Sequence, residues 1–108
     1  MDEAYRKISF REAHELLQRE DSACFFDVRE EEEYDAGHAE GAELFPLGEI
    51  DEESAAERIP DFDTPVLLYC RSGARSFQAA LKLVSYGYTR VYDLGGLNGW
   101  PYGIDFAL

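Results

Sequence analysis

Val66-Leu67-Leu68-Tyr69-Cys70-Arg71-Ser72-Gly73-Ala74-Arg75-Ser76 decides how the rest of the chain is read. Its first four residues are apolar, Thr64-Pro65 precedes them, and in the segment that follows Phe77, Ala80, Leu81 and Val84 recur at helical spacing. The pattern predicts strand, tight loop and helix, with a cysteine at the strand's carboxyl end. In an open α/β sheet, ligands bind beyond the carboxyl ends of the strands, where loop amides and a helix amino terminus offer unpaired N–H groups. A thiol there is acidified by the helix dipole, by its cationic neighbours Arg71 and Arg75, and by amides that favour an anion. Gly73 permits a positive φ, so that successive N–H groups turn inward as an anion nest. The alternative, a buried cysteine closing a core strand, fits the general habit of free cysteine. A structural loop, however, has little use for two guanidinium groups beside a thiol, and the reading here is a reactive cysteine.

The chain has 108 residues, 45% of them apolar, and a net charge of −13. That is the size of a single domain with one core. The acidic excess disfavours nucleic acid and anionic membranes as partners, since either would meet a repulsive field. No apolar run approaches a membrane span, and residues 1–7 lack the apolar centre of a signal peptide, so a cytoplasmic location is expected. Of the two cysteines, Cys24 stands near the start of one apolar run and Cys70 closes another. On parallel neighbouring strands they would be offset by about four residues, roughly 13 Å at ~3.3 Å per residue, whereas a disulfide spans at most about 7 Å between Cα atoms. Cys24 is therefore read as a small core hydrophobe and Cys70 as a free thiol.

Upstream, Ser9-Phe10-Arg11-Glu12 has the form of a capping box, with Ile8 and Ala13 placed as a hydrophobic staple and Ala13, Leu16 and Leu17 as the buried stripe. His14 falls off that stripe, has no metal-ligand partner at i+4, and is assigned to solvent. Residues 23–28 are short and apolar on both faces, as in a central parallel strand, and end in Asp27-Val28-Arg29. Asp27 and Arg29 stand where an α/β site would be built, but ion-pair networks perturb such groups as readily as catalysis does, and they are read as architecture. Residues 30–33 read as a solvated helical turn, 42–45 as a strand stopped by Pro46, 47–58 as an irregular acidic helix ending before Pro60, and 61–65 as a turn-rich connector. The helix after Cys70 should stop near Gly87. Residues 90–94 form a last strand, and Gly95-Gly96 lets its exit pass close to another backbone. Residues 97–101 should then form a short helix that anchors Trp100 in the core. Strands alternating with helices predict an α/β fold, a parallel sheet with helices on both faces and right-handed crossovers; strand order stays open.

Taken together, these motifs resemble the rhodanese family of sulfurtransferases. Besides the cysteine-led loop, Asp27-Val28-Arg29, Glu33-Tyr34, Gly37-His38, Gly41-Ala42 and Pro46-Leu47 are similar to its amino-terminal signature, and Gly95-Gly96 with Trp100 to its carboxyl-terminal one. One departure is Ala39, where family members often carry Ile after the Gly-His pair. The resemblance implies a rhodanese-like, five-stranded, mostly parallel sheet over residues 1–108, with the Cys70 loop at the carboxyl edge of a central strand. It implies a thiosulfate sulfurtransferase in which Cys70 takes sulfane sulfur from a small-molecule donor such as thiosulfate, carries it as a persulfide, and yields it to a protein or thiol acceptor. No metal or organic cofactor enters that chemistry. The amides of Arg71, Ser72, Gly73, Ala74 and Arg75 would cradle the persulfide while the Arg71 and Arg75 side chains hold the donor's oxyanion. Asp27, Arg29, Glu33 and His38 would support the loop, since a thiolate already acidified needs no histidine base.

Three rivals come from other classes. Cell-cycle-type phosphatases resemble His-Cys, five residues, then Arg; here Tyr69 precedes Cys70, and Ser76 stands where that arginine would be. Non-enzymatic regulatory or carrier modules of the same fold typically lose the cysteine, which this chain keeps. An arsenate-reductase-type thiol enzyme stays open.

Overall fold

The computed structural model describes residues 5–107; the expectation drawn from residues 1–7 therefore falls largely outside the described residues. In chain order the elements are β1 (Tyr5–Lys7), α1 (Phe10–Arg19), β2 (Cys24–Asp27), α2 (Glu31–Ala36), β3 (His38–Ala39), β4 (Glu43–Leu44), a 3-10 turn (Leu47–Glu49), α3 (Glu52–Arg58), β5 (Val66–Cys70), α4 (Ala74–Ser85), β6 (Val91–Gly96) and β7 (Ile104–Asp105). Five strands form one sheet in the order β1-β6-β5-β2-β4, and every pair in it is parallel. The expected five-stranded sheet is thus present, with β5 at its centre. The edge strand β1 and the small antiparallel ribbon of β3 and β7 were not foreseen, being too short and too polar to carry an alternation.

All five residues of β5 are buried, as a strand covered on both faces requires. Its side chains alternate between two cores. Leu67 and Tyr69 pack with Ala13, Leu16, Phe25 and Trp100 beneath α1. Val66, Leu68 and Cys70 pack with Ile50, Ala55, Ile59, Ala79, Ala80 and Leu83 beneath α3 and α4. Helices therefore cover both faces, and Leu67 and Leu68, with no exposed surface, each contribute about 1.5–3 kcal/mol of apolar transfer energy.

Local chemistry sets the helix starts. In α1 the Ser9 hydroxyl accepts from the Glu12 amide at 3.1 Å, and the Ser9 amide donates back to the Glu12 carboxylate at 3.0 Å. Asp51 and Ser54 exchange the same pair of bonds at α3, which ends at Arg58 ahead of Pro60.

Three details differ from the sequence pattern. On α4 the buried residues are Ser76, Ala79, Ala80 and Leu83, while Phe77 and Leu81 are 42% and 45% exposed. The helix is rotated because two alanines allow it close to the sheet and because buried Ser76 has partners of its own; hydropathy counts that serine as polar. Residues 97–101 make a single turn closed by the Trp100 amide on the Leu97 carbonyl at 2.9 Å, since Pro101 biases Trp100 away from helical backbone. Trp100 is nonetheless a buried anchor, edge-on to Phe10. His14 is half-buried and lies flat on the Tyr102 ring at 3.9 Å rather than in solvent. Among the described residues no helix is long and apolar enough to cross a membrane.

Candidate active site

Cys70 is the last residue of β5, and α4 begins four positions later at Ala74. Between them Gly73 takes φ +104°, the left-handed region, and caps α4 without a side chain. That curl brings the Gly73 amide to 2.9 Å from the Cys70 sulfur, donating to it. The Ser76 hydroxyl lies 3.6 Å from the same atom. Burial pushes the thiol's pKa up, but the Ser76 hydroxyl, then the amides of Ser76, Gly73 and Ser72, pull it down further, and the net pKa lies below the usual 9.0. The result is a thiol poised to ionise inside a ring of donors.

The exit of β6 holds the loop from below. Leu97 donates its amide to the Cys70 carbonyl at 3.0 Å, and a Cβ on Gly96 would sit 2.5 Å from the Arg71 carbonyl oxygen, so only glycine fits there. The β5–β6 pairing slips between Leu68 and Tyr69 and resumes with Tyr69 opposite Gly95 and Cys70 opposite Gly96, just before the loop.

Of the two arginines, Arg75 is turned away from the sulfur. Arg75 makes a two-pronged ion pair with Glu33 of α2, at 2.7 and 2.9 Å, instead of facing the sulfur. Glu33 is drawn down to about 2, first by that pair, and Arg75 is raised, first by Glu33 and only to a lesser extent by the sulfur's charge. The principal acidifying groups at Cys70 are thus a hydroxyl and amides rather than guanidinium groups. Arg71 is exposed, has no ion pair or hydrogen bond among the described residues, and lines a groove of about 360 Å³ with Arg29, Leu97, Asn98, Trp100 and Ile104.

Asp27, Arg29 and His38 lie on the other face of the strand ends. Buried Asp27 accepts from the Arg29 amide, from its guanidinium at 2.7 Å, and from the Tyr69 hydroxyl at 2.7 Å. Tyr69 in turn accepts from the Ala39 amide at 3.0 Å, and Arg29 donates to the Gly37 carbonyl at 2.7 Å. The ring of His38 stacks on Tyr34 at 3.6 Å, with Nδ1 2.9 Å from the Tyr34 carbonyl. The residue before the cysteine is in this way bolted to β2 and β3 through its phenol. Neither the Tyr69 phenol nor Ser76 was assigned a role from sequence; the available signal for Ser76 was a hydroxyl in the first turn of a helix capped by glycine.

Trp100 also walls a second cavity, of about 200 Å³, with His14, Phe25, Glu40 and Tyr102, and its indole N–H is buried without a partner among the described residues. Among the described residues no group of three or more His, Cys, Asp or Glu side chains converges as a metal site would.

With this geometry in view, comparison with known proteins is informative. The pattern of the family described as Rhodanese-like domain matches residues 9–101. An uncharacterized protein of Bacillus subtilis, YqhL, is 39% identical over 79 residues, covering 72% of this chain and 60% of that protein. Thiosulfate sulfurtransferase GlpE of Pseudoalteromonas translucida is 34% identical over 98 residues, covering 90% of each. Among solved structures, a rhodanese with anions from E. coli superposes with a TM-score of 0.72 at 36% identity, covering 78% of this chain and 98% of that one.

Proposed function

The chain belongs to the rhodanese-like domain family, and on that premise we propose that it is a sulfurtransferase carrying sulfane sulfur as a persulfide on Cys70. The Cys70 thiolate attacks the outer sulfur of a donor such as thiosulfate; a new S–S bond forms as the donor's breaks, and sulfite leaves with the electron pair. The terminal sulfur of the persulfide then lies among the loop amides, which supply fixed dipoles for its negative charge. An acceptor nucleophile, a small or protein thiol, attacks that outer sulfur, and Cys70 departs as thiolate. Arg71, exposed and unpaired at the groove, is the cation that meets an anionic donor.

The observation that carries this reading is the Gly73 amide 2.9 Å from a sulfur whose pKa is lowered by the hydroxyl and amides around it against its burial. Mass measurement of the intact protein after incubation with thiosulfate tests it: one added sulfur atom, removed by cyanide, is expected. A chain that takes up no sulfur while hydrolysing aryl phosphates through Cys70 would favour the phosphatase reading. Against that reading, only four residues separate Cys70 from Arg75, and that arginine is engaged by Glu33.

A further inference from the structure

Ser76 is a fully buried hydroxyl between the Cys70 sulfur, which donates to it at 3.6 Å, and the Gly73 carbonyl, which accepts from it at 3.2 Å. With Cys70 as a thiol, the S–H donates to Ser76 Oγ and the Ser76 O–H donates to Gly73. Once the sulfur is an anion it can only accept, and the hydroxyl must turn to it. That turn leaves nothing orphaned, because the Gly73 carbonyl also accepts the Phe77 amide at 3.1 Å, the first helical bond of α4. The hydroxyl is thus a donor that follows the charge on Sγ at little cost.

The two halves of sulfur transfer use that charge in opposite senses. During charging, Sγ begins as thiolate and ends as the neutral inner sulfur of a persulfide. A donor to Sγ raises the thiolate fraction but blunts its nucleophilicity, and the two effects partly cancel. During discharge, negative charge develops on Sγ as the S–S bond breaks, and a donor that strengthens with that charge binds the transition state more tightly than the persulfide. We propose that Ser76 is a catalytic residue whose hydroxyl serves the departure of Cys70 from its persulfide, making it a better leaving group, rather than its attack on the donor. This rests on the sulfurtransferase reading above.

The test is single-turnover kinetics of the two half-reactions in the natural protein, Ser76→Ala and Ser76→Thr, with thiosulfate to charge and cyanide to discharge. Charging is followed up to a pH where Cys70 is fully ionised in each protein. In Ser76→Ala discharge should slow roughly three- to thirtyfold, the leaving-group effect of losing one hydrogen bond to a charged sulfur. The charging plateau should stay equal or rise severalfold, while the pH at which charging half-saturates moves up. Ser76→Thr, which keeps the hydroxyl, should retain the natural ratio of the two rates. Arg71, Arg75 and Glu33, the charges nearest the loop, are the same in all three proteins. Equal loss in both halves for Ser76→Ala, no loss in either, or a Ser76→Thr protein that charges normally yet discharges slowly would overturn the proposal. Failure of the natural protein to take up sulfur would instead defeat the sulfurtransferase reading on which it stands.

Discussion

Cys24 and Cys70 are free thiols on adjacent parallel strands, one at each end of the sheet, and burial pushes the pKa of both upward. Their fates differ because of what else each sulfur faces. Cys70 lies at the amino terminus of α4, where the Gly73 amide donates to it and the Ser76 hydroxyl stands 3.6 Å away, able to turn to it once it ionises, and its pKa ends below the usual 9.0. Cys24 lies 3.9 Å from the carbonyl of Arg58, the last residue of α3, an acceptor. Its pKa stays raised, through burial first and then the Glu43 carboxylate, against a smaller pull from Arg58. One helix offers a thiol its donors and the other its acceptors, and only the first arrangement stabilises a thiolate. Burial alone would have left two inert cysteines.

The sharpest break of this comparison is exchange of each sulfur. Cys70→Ser should abolish persulfide formation and transfer, while Cys24→Ser should leave both intact and cost about 1 kcal/mol of stability or less, read by denaturant titration. Sulfur uptake by the Cys70→Ser protein would remove the distinction altogether. Gly96→Ala should come next, because a methyl group 2.5 Å from the Arg71 carbonyl must push the loop off its donors. A shift on the order of an ångström costs about a hundredfold in rate, so charging should fall by about that much, and Cys70 should move toward the behaviour of Cys24.

Alkylation by iodoacetamide against pH sharpens the comparison directly. The Cys70 rate should half-saturate below pH 9.0 and the Cys24 rate above it, as peptide mass mapping would resolve. The smallest expected effect separates the two arginines. Arg71→Ala should raise the KM for thiosulfate severalfold with the melting temperature unchanged. Arg75→Ala should lower stability by about 1 kcal/mol or less, the scale of a partly exposed ion pair. Glu33 has its pKa depressed from the usual 4.5 to about 2, so its contribution is full above 4.5 and is lost as pH falls toward 2. Acid denaturation of the natural protein and of Arg75→Ala should therefore converge at the bottom of that window.

Much of this was readable from sequence where local rules act. The capping box at Ser9, the fully apolar run of β5 and the glycine beside Cys70 all follow from near neighbours along the chain. What was not readable depends on distant partners. Arg75 looks like an anion clamp until Glu33, on another helix, claims its guanidinium. Ser76 looks solvated until the strand places Cys70 beside it, and counting it as polar rotated the predicted face of α4 by about one position. The edge strand β1, Tyr5-Arg6-Lys7, has no alternating pattern and owes its conformation to pairing with β6.

Trp100 is the only tryptophan in the chain, and it walls both the groove beside Arg71 and the cavity beneath α1. The protein therefore carries a built-in fluorophore at the boundary between two spaces of opposite charge. Arg29 and Arg71 line the first and Glu40 the second. An anionic quencher such as iodide should reach the indole from the groove, and a cationic one such as caesium from the other side. Protection from one but not the other would tell which of the two a bound molecule occupies, without a label and without turnover.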